Sequence, residues 1–222
     1  MTQTLRIDFI SDVACPWCYV GKAYLDRALS ARPEHPFEIE WHPYQLNPDL
    51  PPEGMDRAEY MQAKFGSREN IIRIHENLLI HAEKAGVAFD LPAIKRTSNT
   101  LDAHRLIHWA GLEGRQTAMK SALLRAYWAE GRDIGCVTTL ADIADTVGMD
   151  RALTLRLLQS DADRAEIGAR IAHSKNRGVQ SVPTFIIANQ HALQGAQPTE
   201  TWLNIIDELA ETLKEQGHVT SH

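Results

Sequence analysis

Only three cysteines, Cys15, Cys18 and Cys136, occur in the 222 residues. That is too few for a disulfide-stapled scaffold. No stretch approaches the roughly 20 consecutive apolar residues that cross a bilayer. The opening residues have no charged segment leading into an apolar one, so the start reads as mature sequence and the expected location is the cytoplasm. Long basic runs are missing and the formal net charge is −6, which argues against nucleic-acid backbone as a partner. Internal repeats and low-complexity tracts are absent as well. Hydrophobic residues at 44% and charged residues at 23% exclude a disordered or fibrous chain. The length suits one domain carrying a substantial insertion.

What is present reads as α/β at both ends and helical between. Leu5 to Ile10 alternates, with Leu5, Ile7 and Phe9 on one face. Phe37 to His42 alternates again, with Phe37, Ile39 and Trp41 opposed to Glu38, Glu40 and His42. Between them a helix runs from Cys15-Pro16-Trp17-Cys18 to Ala31, closed by Pro33, which makes a βαβ unit. A loop rich in proline, Pro43 to Gly54, ends the alternation. Helical spacing follows at Ile71, Ile74, His75 and Leu78, at Ala103, Leu106, Ile107 and Ala110 after Asn99 as N-cap, and at Met119, Ala122, Leu123 and Ala126. Thr139 is the expected cap of a helix with Leu140, Ile143, Ala144 and Val147 inward. Asp161 to Gly178 reads as one more helix, with Ala165, Gly168, Ala169 and Ala172 as a small packing face. A buried strand Phe185 to Ala188, an edge strand His191 to Gln194 and a final helix from Pro198-Thr199 complete the chain, with Gly217 to His222 expected to fray.

The chemistry should sit at Cys15 and Cys18. A helix N-terminus carries unpaired N–H groups and about half a positive charge, which favours a thiolate. In a C-x-x-C pair the thiol pKa can fall from about 8.5 to between about 3.5 and 7.5. Cys15, expected to be exposed, would attack a substrate disulfide, and Cys18, deeper in the helix, would resolve the mixed disulfide. Pro16 suits the first helical turn because its missing N–H needs no partner. Trp17 offers a rigid aromatic contact beside the attacking sulfur. A zinc site is the alternative, but it needs four ligands, and Cys136 is the only other cysteine. No metal is therefore expected. Val182-Pro183-Thr184, placed after a helix and before a hairpin, fits a cis proline facing the dithiol.

These residues carry a resemblance. Ser11-Asp12-Val13-Ala14-Cys15-Pro16-Trp17-Cys18-Tyr19-Val20-Gly21 resembles the active-site segment of the FrnE-like branch of the DsbA family. Leu46 to Pro51, Asn99-Thr100 with Ala103 to Leu106, Arg132-Asp133-Ile134, Val182 to Phe185 and Gly195 to Pro198 extend it along the chain. The resemblance implies a thioredoxin-like fold interrupted by a large all-α insertion, and thiol–disulfide oxidoreductase or isomerase activity. The family's cysteine pair falls on Cys15 and Cys18 and its cis proline on Pro183. The expected division is a first thioredoxin part, 1–47, a helical insertion, 48–159, and a second thioredoxin part, 160–222. The insertion should lie over the dithiol and shape a groove in which Pro16, Trp17, Val182 and Pro183 meet a disulfide- or thiol-bearing protein or small molecule.

No bound cofactor is needed, because the electrons reside in the two sulfurs; glutathione could serve as reductant. A reducing cytosol keeps such a pair as a dithiol, which favours reduction or isomerisation. Two rivals stay open. One is a glutathione-dependent isomerase or transferase similar to the 2-hydroxychromene-2-carboxylate isomerases and the kappa class, which place one serine or cysteine at the first position. The other is a peptide-binding or chaperone-like module. A homodimer is compatible with the sequence. Cys136 departs from the family pattern and reads as a small buried hydrophobe. His104 and His108, four apart, lack the H-E-x-x-H pattern and read as ordinary helix positions. His42 and Asn47 are secondary candidates in or beside the proline-rich loop.

Overall fold

The computed structural model describes residues 4–219, with side chains of the last helix described as far as Leu213. Its main sheet follows from the alternation at the two ends of the chain. Strand β1 (Leu5–Ser11) pairs in parallel with β2 (Phe37–Pro43) and antiparallel with β5 (Thr184–Ile187), which turns back into β6 (His191–Gln194). The order is β2-β1-β5-β6. Phe9 faces Trp41 on one side and Phe185 on the other, with ring centroids 4.3 Å and 4.1 Å apart. This aromatic row is the centre of the core. Helices α1 (Pro16–Ala31) and α9 (Thr199–Val219) pack together and cover it, Trp202 meeting Phe185 edge-on. The fold is thus thioredoxin-like, with a large helical segment between β2 and β5.

That segment begins with a two-residue ladder of β3 (Met55–Asp56) and β4 (Arg96–Thr97). Between its strands run α2 (Arg57–Phe65) and α3 (Arg68–Ala85). Asp56 accepts the Ala58 and Glu59 N–H groups at the start of α2, and Ser67 accepts that of Asn70 at the start of α3. Gly54 enters the ladder at φ 72°, where a Cβ would stand 2.5 Å from the Thr97 carbonyl oxygen, so only glycine fits. Then come α4 (Leu101–Leu112), α5 (Gln116–Trp128), α6 (Val137–Thr146), α7 (Arg151–Leu158) and α8 (Arg164–Asn176). Helix α8 lies against both α4 and β2. The Gln116 side chain closes the outer edge of β2: its Oε1 accepts the Trp41 N–H at 3.1 Å, and its Nε2 donates to the Trp41 carbonyl at 3.3 Å. Trp128 donates its indole N–H to Val13 O at 2.9 Å, tying α5 to the turn ahead of the dithiol.

Several expectations need correction. The small face of α8 (Ala165, Gly168, Ala169, Ala172) is exposed, and Ile167, Ile171 and Ser174 are buried instead. Ile167 and Ile171 bury more apolar area than the small residues, and Ser174 turns inward to donate its hydroxyl to Pro43 O at 3.1 Å. Thr139 does not cap α6; Cys136 occupies the N-cap. Thr100 is the N-cap of α4, while Asn99 Oδ1 accepts the Leu101 N–H at 3.0 Å and its Nδ2 donates to Leu50 O at 2.7 Å. Helix α9 continues to Val219, past the Gly217 at which a tail was expected. The rest of that tail, Thr220 to His222, lies outside the described residues.

Candidate active site

Cys15 is the N-cap of α1, with extended backbone (φ −93°, ψ 114°), and Pro16 follows at N1. Asp12 builds the turn that holds it there: its carbonyl accepts the Cys15 N–H at 3.2 Å, and its Oδ1 accepts the Ala14 N–H at 3.3 Å. Asp12 Oδ2 accepts the Leu46 N–H at 2.8 Å, so one buried carboxylate fixes the dithiol turn to the loop after β2. The Val182–Pro183 bond is cis. Cys15 Sγ–H donates to Val182 O at 3.4 Å, and a Cβ on Gly21 would come within 3.2 Å of Pro183 Cγ. The absence of a side chain at Gly21 therefore lets α1 and the proline loop approach. Cys15, Cys18, Pro183 and Val182, far apart in sequence, converge at one place.

Cys15 is not exposed as expected; it is 3% exposed and Cys18 0%. Both are free thiols within a small apolar cluster containing Ile10, Tyr44, Val179 and Val182. The Val182 segment closes over the first sulfur, which a helix N-terminus alone would have left in solvent. Burial pushes the Cys18 thiol well above its ordinary value, and contact with Cys15 adds to this. The ammonium of Lys120 acts in the opposite direction.

Lys120 was not singled out from the sequence, and its neighbour His104 was read as an ordinary helix position. Lys120 on α5 is 1% exposed, with Nζ 5.6 Å from the Trp41 ring centroid. Burial lowers its pKa to about 8, against the opposing pull of Cys18, Asp12 and Cys15. His104, also buried, has Nε2 2.9 Å from Tyr44 O and 3.4 Å from Asp12 Oδ1. A carbonyl can only accept, so Nε2 carries the hydrogen and Nδ1 is left as a base. Burial lowers the His104 pKa despite Asp12. Burial alone would raise Asp12, but His104, the Leu46 N–H and Thr100 together hold its carboxyl below the usual value. A carboxylate, a neutral imidazole and a depressed amine thus stand behind the resolving thiol. A lysine inside the apolar stretch Met119 to Tyr127 was the one available signal.

In front of the dithiol, Ala14 and Pro16 share a narrow cavity of about 70 Å³ with Leu78 and Trp128; Arg57 and Lys64 bring positive charge to its wall, and His75, its pKa lowered by burial and by Arg57, adds an imidazole. The Arg57 guanidinium lies 5.6 Å from the Trp128 ring centroid. Trp17 is half-buried and meets His81 edge-on at 5.2 Å. Asn47 reaches this side, accepting the Tyr60 hydroxyl at 2.9 Å. His42 does not: it stands on the opposite sheet face, 3.3 Å from Asp8 and 3.7 Å from Glu40. His104 and His108 do not share a ligand, because Arg170 Nη1 donates to His108 Nδ1 at 2.9 Å.

Among the described residues, Asp8, Glu40 and His42 are the group of three whose ligand atoms lie within 4.8 Å of one another. Arg6 and Arg177 already contact Asp8, at 2.8 Å and 3.0 Å, and Arg6 reaches Glu40 at 2.9 Å, so a cation there would meet positive charge. Cys136 is half-buried rather than buried, with Sγ 3.0 Å from Thr138 Oγ1, and hydrogen bonds from Thr138 and Thr139 lower its pKa. No helix among the described residues is long and apolar enough to cross a membrane.

With this geometry, the chain is similar to a probable DsbA oxidoreductase from Streptomyces coelicolor, at 30% identity and a TM-score of 0.84, over 92% of this chain and 89% of that one. Two other solved structures share the fold alone. A 2-hydroxychromene-2-carboxylate isomerase is 17% identical with a TM-score of 0.71, covering 98% of this chain and 100% of its own. The cytosolic disulfide reductase DsbM of Pseudomonas aeruginosa, solved with GSH, is 18% identical with a TM-score of 0.65, covering 93% and 99%. Residues 6–207 match the DSBA-like thioredoxin domain, and the chain belongs to that family of thiol–disulfide oxidoreductases.

Proposed function

We propose that the protein exchanges disulfides through Cys15 and Cys18 in the cytoplasm, as a reductase or isomerase of thiol- and disulfide-bearing substrates. The observation that carries this reading is the meeting of two free sulfurs at the start of α1, against the cis Val182–Pro183 segment, with Lys120 behind Cys18. Cys15 as thiolate attacks a substrate disulfide R–S–S–R′, forming Cys15–S–S–R and releasing R′–S⁻. Cys18 then attacks the Cys15 sulfur, expelling R–S⁻; the substrate gains two electrons and the protein holds an internal disulfide. The Lys120 ammonium offsets charge on Cys18 during this second attack, where burial otherwise opposes ionisation.

Glutathione is the proposed reductant of that internal disulfide. Its carboxylates suit Arg57 and Lys64 around the cavity beside Pro16. The DsbM structure solved with GSH is consistent with such a partner on this fold. The glutathione isomerase alternative is weaker because it needs no resolving thiol, yet Cys18 lies directly behind Cys15.

Insulin-disulfide reduction tests the proposal. Cys15→Ser abolishes turnover and Cys18→Ser accumulates mixed disulfides, seen by mass spectrometry. Equal activity in wild type and both variants rejects the proposal. Full glutathione-transferase turnover by Cys18→Ser would favour the isomerase class, and aggregation suppression surviving in Cys15→Ser would favour a chaperone-like module.

A further inference from the structure

A second enclosed space lies at the outer edge of β2, where α4, α5 and α8 meet, and shares no lining residue with the cavity beside Pro16. It holds about 10 Å³, close to the room one water needs. Its wall includes Lys120, His104, His42, His108 and Arg170. His108, Gln116 and Arg170 also line an open surface cleft of about 550 Å³. The lysine behind Cys18 and His108, which also borders the open cleft, thus line one and the same space.

The resolving step requires a path for one proton. Cys18–SH attacking Cys15–S–S–R gives the Cys15–Cys18 disulfide, R–S⁻ and one proton. The electron pair of the broken S–S bond leaves on R–S⁻, so the proton alone must find a way out. Cys18 is fully buried, and at this stage the substrate occupies the groove side of Cys15. We propose that the enclosed space behind the dithiol is the proton exit of the resolving step, with Lys120 and His104 at its inner end and His108 at its outer mouth. This inference rests on the dithiol reading given above. Run in reverse, the same path readmits the proton when the internal disulfide is reduced.

The groups around the path suit the task. Lys120 is faced by Cys18, Asp12 and Cys15, which favour its charge, and by Lys22, which opposes it. The amine, brought to about 8, lends and takes a proton near neutral pH far more readily than an exposed lysine. His104 is faced by Asp12, Lys120 and the Tyr44 carbonyl. His42, beside the space, is faced by Asp8, Glu40 and Arg170, with its Nε2 3.3 Å from Asp8 Oδ1. At the mouth, the Arg170 guanidinium donates to His108 Nδ1, so the other nitrogen, Nε2, carries the hydrogen. The neutral form of the Lys120 amine is the candidate acceptor of the Cys18 proton, and the ammonium it becomes then offsets the thiolate; His108 acts only through the path and is a positioning residue.

The test uses full-length protein in a Cys136→Ala background and Ellman's disulfide under stopped flow. The first thionitrobenzoate released reports attack by Cys15 and the second reports resolution by Cys18. Lys120→Met slows the second release about 10²-fold, the low end of general acid–base contributions, and leaves the first within about threefold. It also removes the wild-type inflection near pH 8 from the second phase. His108→Ala slows the second phase several-fold, and imidazole in the buffer restores it in proportion to concentration, while wild type ignores imidazole. An unchanged second-phase pH profile in Lys120→Met, or equal acceleration of wild type and His108→Ala by imidazole, overturns the proton exit. Should Lys120→Met fail to fold, half-buried His108 carries the test alone. If wild type releases no second thionitrobenzoate, it is the dithiol reading that falls.

Discussion

Arg105 and Lys120 sit on adjoining helices, α4 and α5, and neither is more than 1% exposed. Their surroundings differ completely. Arg105 uses every N–H of its guanidinium: Nε donates to Ala162 O, Nη1 to Asp102 Oδ1 and Leu158 O, and Nη2 to Leu157 O and Ser160 O. It closes the C-terminal end of α7 and the turn into α8. Lys120 donates to no carbonyl or carboxylate among the described residues; it has the face of Trp41, the field of Asp12 and the two thiols. Equal burial therefore has opposite meanings. A cation whose donors are all paired is a structural anchor, whereas one left in a field without fixed partners remains able to give up its proton. The first sits away from the dithiol and the second directly behind it.

Arg105→Met is the strongest way to break this contrast. It orphans the α7 carbonyls, at about 1–3 kcal/mol each, and leaves Asp102 without its buried partner. A loss of about 5 kcal/mol is expected, or roughly 10–20 °C in melting temperature for a chain of this length, read by calorimetry. The folded remainder, assayed in the cold, reduces insulin at the wild-type rate. A melting point within a few degrees of wild type would show that the five bonds are not an anchor.

Lys120→Met should move stability in the other direction. Folding takes the amine from 10.5 to about 8, so between those values the unfolded chain binds more protons and wild-type stability rises with pH. Below pH 8 the full cost of burying the charge, about 3 kcal/mol, is present. The variant is therefore as stable as wild type or more so at pH 7, and its advantage shrinks as the pH is raised toward 10. A variant that melts far below wild type at pH 7 would make Lys120 a second anchor.

Neither cation was legible from sequence, and the reason is the same for both. Arg105 falls between Ala103 and Leu106, and Lys120 between Met119 and Leu123, inside stripes read as apolar; a charged side chain there is assumed to reach solvent. Only the chain far away in sequence, Leu157 to Ala162 for one and Asp12 with Trp41 for the other, shows that it does not. The sheet and α1 were legible because strand alternation and the Pro16 start are local signals. Helices α2 and α7 were not, since each turns so little inward, Met61 in one and Thr154 with Leu158 in the other, that no period emerges. The convergence of Cys15 with Val182 was visible as pattern, but its consequence, a covered rather than open sulfur, needed the proline loop in place.

The smallest effect separates the two regions by pH alone. Burial lowers the pKa of His104 below its unfolded value of 6.5, against the pull of Asp12. The unfolded chain then binds the extra proton first, so stability is full above pH 6.5 and falls as the pH drops below it. One proton limits that slope to about 1.4 kcal/mol per pH unit. His42 and His75 are lowered too and contribute in the same window, so the wild-type slope alone assigns nothing. The difference between wild type and His104→Asn does, because asparagine can keep the donation to the Tyr44 carbonyl while losing the titration. Melting curves between pH 7 and about 5 should run shallower for His104→Asn than for wild type, and Arg105→Met should keep the wild-type slope at its lower melting point. If His104→Asn retains the full slope and only His42→Asn flattens it, the acid-sensitive element lies in the Asp8–Glu40 layer on the other face of the sheet. The Asp12–His104 pair behind Cys18 would then lose its claim to be the titrating element of the molecule.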